Sequence, residues 1–151
     1  MNSRFAYLTV SVVLVAASLA GAEKRVKMAN LPPAVQKTVQ EQSQGATIRG
    51  LSIEEENGKT FYEAELKVNG HNKDVLIDPT GAIVEVEEQV TLESLPPAAK
   101  TALEKQAGKG KITFVESVTK GSSVVAYEAK IKTAGKTSEI KVSPEGAAVK
   151  E

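Results

Sequence analysis

Apolar and charged residues alternate in several segments of the chain, as they do in a β-strand with one buried face. From Tyr62 to Val68 every second residue is apolar and the residues between are charged. The segment 127–132 repeats this alternation. Asn69-Gly70 follows the first run, and Asn and Gly favour the tight turn between antiparallel strands. The pattern therefore predicts a meander of antiparallel strands.

Two other segments carry residues at the spacing of one helical stripe. The stripe and its counterpart are Leu31, Val35, Val39 and Gln42, then Leu95, Ala99, Leu103 and Gln106. Each begins beside a pair of prolines, which the first turn of a helix tolerates because its N–H groups lack intrahelical partners. Gly45 and Gly108 follow the stripes and predict the helix ends.

The chain also repeats itself, because three motifs recur in the same order after 64 or 65 residues. They are Leu31-Pro32-Pro33-Ala34 and Leu95-Pro96-Pro97-Ala98, Tyr62-Glu63-Ala64 and Tyr127-Glu128-Ala129, and Pro79-x-Gly81-Ala82 and Pro144-x-Gly146-Ala147. A collinear series predicts repeats at 31–89 and 95–151, joined by a linker at 90–94. The predicted fold class is α+β: two tandem repeats, each an N-terminal helix packed on a roughly four-stranded antiparallel sheet.

The register of one hairpin in each repeat has two solutions. A four-residue loop at 69–72 places Lys67 opposite Asp74, which pairs opposite charges. The equivalent loop in the second repeat opposes two lysines, whereas a two-residue loop there pairs Glu128 with Lys141. We therefore expect that the two hairpins can differ.

Residues 1–22 have the order of a secretory signal peptide. One positive charge at Arg4 precedes an apolar run, and Ala20-Gly21-Ala22 is an A-x-A cleavage site. The alternatives are cleavage after Ala20, or an uncleaved anchor, although the apolar run is shorter than a spanning helix needs. Cleavage after Ala22 predicts a periplasmic or secreted protein with an N-terminal segment at 23–30 and no membrane attachment.

Composition excludes several classes of function. The chain has no Cys, which removes disulfide frameworks, thiolate zinc sites and Cys nucleophiles. Its 19 basic and 19 acidic residues argue against nucleic acid as a partner. The charge is nevertheless divided, because 31–89 carries a net charge of −6 and 95–151 carries +4. This division predicts either attraction between the repeats or steering of a partner.

The sequence offers little catalytic chemistry. His71, the single histidine, lies in the predicted turn after Gly70, where solvent exposure is the expected state. We therefore predict no enzyme, no cofactor and no metal site. Glu54-Glu55-Glu56 and Asp78 supply the oxygen ligands that Ca²⁺ prefers, but without the spacing of a known loop.

Apolar residues stand on the outward face of the first repeat. Phe61, Leu76 and Ile83 have the parity of the charged positions, which include Glu63 and Glu65. Three such residues on adjacent strands can form one patch, and a patch marks an interface. These five residues are the candidate partner surface. The alternative is that the second repeat or the linker covers them.

The repeated motifs resemble the PepSY-like family, also described as beta-lactamase-inhibitor-like. The resemblance rests on the Leu-Pro-Pro-Ala helix starts at 31–34 and 95–98, the Tyr-Glu-Ala strands and the Pro-x-Gly turns. It implies helix-on-sheet modules and an exported, non-enzymatic protein-binding module that inhibits or regulates an envelope or secreted enzyme. The alternative is an envelope protein that senses or buffers a ligand or divalent ion through the acidic face of the first repeat.

Overall fold

The computed structural model describes residues 24–150, so the predicted signal peptide lies outside the described residues. Eight strands and two α-helices make up most of this part of the chain. In chain order they are β1 (Lys24–Arg25), α1 (Pro33–Gln42), β2 (Ala46–Glu56), β3 (Lys59–Val68), β4 (His71–Ile77), β5 (Ile83–Gln89), α2 (Pro97–Ala107), β6 (Lys111–Lys120), β7 (Ser123–Thr133) and β8 (Lys136–Val142). Short 3-10 helices at Met28–Asn30 and Leu92–Ser94 precede the two α-helices. Within residues 24–150, no helix has the length and apolarity to cross a bilayer.

All eight strands form one antiparallel sheet, in which their spatial order equals their order in the chain. The predicted fold class, two tandem repeats that each place a helix on their own four-stranded sheet, is therefore wrong. After β8, where a four-stranded second repeat needs one more strand, the described residues form a single bridge between Val142 and Ala148. The structure is mostly sheet, with two helices.

The two halves of the chain are joined by pairing between β5 and β6. Four residue pairs, from Val86 opposite Thr119 to Gln89 opposite Glu116, continue the ladder across the middle of the sheet. An unpaired strand edge exposes a row of N–H and C=O groups that must find partners. Pairing β5 with β6 satisfies two such edges at once, which explains one continuous sheet instead of two.

Both helices pack on the same face of this sheet. Val35 and Val39 of α1 are buried against Leu66 of β3 and Ile77 of β4. Leu103 of α2 and its neighbours are buried against β6, β7 and β8 in a second apolar cluster. Each fully buried Val, Leu or Ile contributes about 1.5–3 kcal/mol relative to exposure. The apolar residues of the predicted helical stripes are thus the ones that cover the sheet, whereas Gln106 is exposed.

The turn between β4 and β5 holds α1 in place. Thr38 Oγ1 donates a hydrogen bond of 2.6 Å to the carbonyl oxygen of Gly81. Gly81 has a φ of 86°, and a Cβ at this position would lie 2.8 Å from the carbonyl oxygen of Ala34. Asp78 Oδ1 accepts hydrogen bonds from Thr80, and these bonds lower the pKa of Asp78. The turn therefore fixes the position of α1 on the sheet.

Both hairpins whose register was open have two-residue loops. Val68 lies opposite His71, and Thr133 lies opposite Lys136. Asn69 has a φ of 49°, in the left-handed region that such turns require. The four-residue loop that pairs Lys67 with Asp74 is therefore not used, and Glu65 lies opposite Asp74 instead.

Candidate functional site

The candidate site is the sheet face opposite the two helices, which we call the open face. Register places alternate residues of the strands on it, because directly paired residues of neighbouring strands share a face. Its members include Ser52, Glu54, Phe61, Glu63, Glu65, Asp74, Leu76, Glu85, Glu87, Glu116, Glu128, Lys130 and Lys141. Carboxylates outnumber every other kind of side chain in this set.

The acidic residues of the open face line a depression of about 260 Å³, which we call the trough. Its lining crosses both halves of the sheet. It consists of Glu54, Glu56, Glu63, Asp74, Leu76, Glu85, Glu87, Glu128 and Lys141. Seven carboxyl groups therefore face one ammonium group among the residues that line the trough. The trough is a region of concentrated negative potential in a nearly neutral protein.

The strand register places like charges side by side on the open face. Glu65 of β3 lies opposite Asp74 of β4, and Asp74 lies opposite Glu87 of β5. Burial, followed by the charges of Glu63 and Glu65, raises the pKa of Asp74 to about 6. Like charges directly opposite each other oppose folding, so this row has an electrostatic cost.

The carboxyl groups at the junction of the two halves are more strongly perturbed. Burial and the charges of Glu116 and Glu128 raise the pKa of Glu87 to about 8. Burial likewise raises the pKa of Glu116 to about 7, although the nearby Lys130 acts in the opposite direction. Glu116 is 6% exposed and Glu128 is 8% exposed, so water screens their charges weakly. The junction thus holds carboxyl groups that retain protons near neutral pH.

Two lysines of the second half partly balance this charge. Lys141 Nζ lies 2.8 Å from Glu128 Oε2, and Lys130 Nζ lies 3.5 Å from Glu139 Oε1. Burial alone would lower the pKa of Lys141, but the hydrogen bond and charge of Glu128 raise it above its usual range. Both lysines therefore stay charged and are already engaged with carboxylates.

Other polar side chains of the protein pair with carboxylates of the open face. Lys120 Nζ lies 2.7 Å from Glu85 Oε2 and bridges the two halves of the sheet. Arg25 forms an ion pair with Glu65, and the buried Ser52 donates a 3.1 Å hydrogen bond to Glu63. These contacts orient individual carboxylates, while the trough retains a large excess of acidic groups.

An apolar cleft of about 490 Å³ lies at one end of the first half of the sheet. Phe61, Pro79 and Val84 line it, together with Lys59, Thr60 and Asp78. Val84 occupies this position because the β4–β5 ladder shifts register between Leu76 and Ile77, which leaves Ile83 opposite Ile77. Val84 is the extra residue at this irregularity, and an extra residue interrupts the alternation of side chains along β5.

The structure separates the five predicted surface residues into four locations. Glu63 and Leu76 line the trough, and Phe61 lines the cleft. Glu65 lies beside Asp74 on the open face and pairs with Arg25. Ile83 is 39% exposed and lines neither depression.

The partner surface predicted from the sequence left out several residues of this face. Alternation along β4 and β5 carries Asp74 and Glu87 to the face of Glu63, so the pattern contained that information. The pattern did not show that Glu116 and Glu128 lie close to the first half of the sheet, because their position depends on the pairing of β5 with β6. The position of Val84 at the cleft depends on the irregularity in the β4–β5 ladder, which the pattern did not show either.

The face offers few groups for metal or nucleophilic chemistry. Within residues 24–150, no group of three or more His, Cys, Asp or Glu side chains is arranged to hold a metal ion. His71 is exposed at the first residue of β4. The divalent-ion alternative stays a prediction.

Comparisons with known proteins place this geometry in a structural context. No family model matches the chain, and no curated protein matches it. A Bacteroides eggerthii protein, provisionally named periplasmic, superposes with a TM-score of 0.64 at 18% identity, over 80% of this chain and 86% of that one. A DUF2874 family protein from Bacteroides ovatus superposes with a TM-score of 0.61 at 21% identity, over 80% and 85%.

A third solved structure belongs to a BLIP-like protein from Bacteroides fragilis. It superposes with a TM-score of 0.55 at 19% identity, over 78% of this chain and 82% of that one. Identities at this level establish the fold alone. The chain therefore has a fold similar to that of DUF2874 family and BLIP-like proteins.

Proposed function

We propose that the chain is a periplasmic, non-enzymatic module that binds another protein through the open face of its sheet. The single observation that carries this proposal is the asymmetry of the sheet. One face is covered by α1 and α2, whereas the other carries the trough and the cleft side by side. A face that combines charge with apolar side chains suits a protein interface.

The electrostatics of the open face support this proposal. Asp74, Glu87 and Glu116 are held in surroundings that raise their pKa values, which is a cost to the folded protein. Burial is the larger cause of these raised pKa values, and repulsion between neighbouring carboxylates is the smaller one. A partner that brings positive charge to these groups would offset the repulsion.

The fold and the sequence support the other parts of the proposal. The fold likeness includes a BLIP-like protein and a protein provisionally named periplasmic. The N-terminal sequence predicts export, with cleavage after Ala22. An inhibitor or regulator of an envelope or secreted enzyme is the form of binding module that the sequence resemblance implies.

Capture of the partner tests the proposal. The full chain with a C-terminal tag is expressed in its native host, recovered from the periplasmic fraction, and used to capture interacting proteins. A Phe61→Asp/Leu76→Asp variant places new charge on the open face. A Val124→Asp/Val125→Asp variant is the matched control, because these valines are 40% and 39% exposed near the start of β7.

We expect one partner to bind the wild-type chain and the control variant but not the Phe61/Leu76 variant, at unchanged melting temperature. Binding that survives in the Phe61/Leu76 variant would place the interface elsewhere. A variant that melts much lower would instead show that these two side chains are part of the core. Absence of the chain from the periplasm would contradict the localisation.

A further inference from the structure

The cleft and the trough adjoin each other on the open face. Phe61 of the cleft lies directly opposite Glu54 of the trough, across the β2–β3 ladder. Val84 of the cleft is followed in the chain by Glu85 of the trough. The two depressions are therefore parts of one surface that is apolar at one end and acidic along the rest.

The spacing of these groups matches that of side chains on a bound segment. Phe61 and Glu63 are two residues apart on β3, which separates them by about 6.8 Å. An extended segment places alternate side chains at the same interval. A single segment can therefore present one side chain to the cleft and another to the trough.

The cleft has room for a complete apolar side chain. A cavity of about 150 Å³ is enough to hold a benzene ring in a protein interior. The cleft measures about 490 Å³ and is walled by Phe61, Pro79 and Val84. Its size and lining suit a leucine or an aromatic side chain.

The trough selects for positive charge. Seven carboxyl groups line it, of which Glu128 is paired with Lys141 and Glu85 with Lys120, so acidic groups remain in excess. A complementary cationic surface speeds association and disfavours acidic competitors. The trough thus complements a lysine or arginine side chain.

From this surface we infer the chemistry of the partner, an inference that rests on the proposed function. We propose that the open face binds a basic segment of the partner protein, with an apolar side chain in the cleft beside Phe61 and a lysine or arginine side chain in the trough beside Glu63. Apolar burial supplies affinity at the cleft, and charge supplies selectivity at the trough.

Three labelled peptides serve as probes for this proposal. In the first, leucine and lysine stand two residues apart with serine between them, so that both lie on one face of an extended segment. The second has serine in place of each leucine, and the third has glutamate in place of each lysine. Binding to the full chain, recovered from the periplasm, is measured by fluorescence anisotropy at low salt, where charge effects are largest. We expect the affinity to fall in the order in which the peptides are named.

Two variants separate the contributions of the cleft and the trough. Phe61→Ala should lower the affinity for the lysine–leucine peptide about tenfold, which is the loss expected for one buried apolar contact. The same variant should leave the affinity for the lysine–serine peptide unchanged. Glu63→Gln should weaken both lysine peptides. Glu88→Gln removes the same charge from an exposed residue on the helix-bearing face and should weaken neither. Melting curves confirm that each variant is folded.

Each alternative result overturns a defined part of the inference. Equal binding of the lysine–leucine and lysine–serine peptides would show that no apolar side chain enters the cleft. If the glutamate–leucine peptide bound as tightly as the lysine–leucine peptide, charge would not select the ligand. If Glu63→Gln and Glu88→Gln lowered the affinity for the lysine peptides equally, the effect would come from the net charge of the protein and not from the trough. If the Phe61→Asp/Leu76→Asp variant loses the captured partner while the peptides fail to bind, the proposed function stands and this inference falls.

Discussion

Replacing Glu87 by Gln tests whether the acidic junction destabilises the folded protein. Burial and the charges of Glu116 and Glu128 raise the pKa of Glu87 to about 8, from an ordinary value of 4.5. The folded protein therefore binds a proton at Glu87 that the unfolded chain has released. Between these two pKa values, the free energy of unfolding falls as the pH rises.

The structure sets the magnitude of this effect. A pKa difference of one is worth about 1.4 kcal/mol, so the rise at Glu87 sets an upper limit of about 5 kcal/mol. Two factors make the actual effect smaller than this limit. Glu116 takes up protons in the same pH range, and solvent reaches part of the Glu87 side chain. We expect Glu87→Gln to stabilise the fold by about 1–3 kcal/mol at about pH 9 and to change stability little at about pH 5.

Urea denaturation of the wild-type chain and the variant, at about pH 5, 7 and 9, measures the effect. Glu88→Gln is the matched control, because Glu88 is exposed on the opposite face of the same strand. It should show no comparable dependence on pH. A Glu87→Gln variant that is no more stabilised at high pH than at low pH, or that matches Glu88→Gln, would refute the reasoning.

Two further predictions concern the framework around the face. Gly81→Ala should destabilise the fold by about 1–3 kcal/mol more than Gly58→Ala, because both residues have left-handed φ but only Gly81 lies against the α1 backbone; thermal melts that rank the two equally would contradict this. Lys120→Ala removes the ion pair with Glu85, in which the lysine side chain is 59% exposed, and should cost less than about 1 kcal/mol, a difference that shrinks in high salt. A larger or salt-independent loss in urea titrations would show a role beyond that pair.

Much of the secondary structure followed from local patterns. The stripe of Leu31, Val35 and Val39 is buried in the structure as its spacing predicted. Residues at this spacing lie on one side of a helix, and the apolar side is the one that packs against the core. The alternation in β3 likewise buries Ala64 and Leu66 and leaves the glutamates between them on the other face. The outward parity predicted for Phe61 and Leu76 agrees with the register, whereas Ile83 lies opposite Ile77 of the helix-bearing face. Their role as a partner surface stays a prediction.

The errors of the sequence-based prediction concern contacts between residues that are far apart in the chain. Periodicity shows which residues share a face of a strand but not which strands pair, so the pairing of β5 with β6 was not predicted and two sheets were expected instead of one. The irregularity beside Ile77 shows the same limit, because one extra residue in a ladder reverses which side chain faces outward.

The amino-acid sequence by itself determined the helical stripes, the strand alternation and the acidic character of the first half, because each depends on residues close together in the chain. Only the tertiary structure decided that Glu116 and Glu128 meet Glu87, and that Val84 joins Phe61 at the cleft. The perturbed carboxyl groups exist because strand pairing places distant residues together where water is largely excluded. That arrangement, more than any local motif, makes the open face a candidate binding surface.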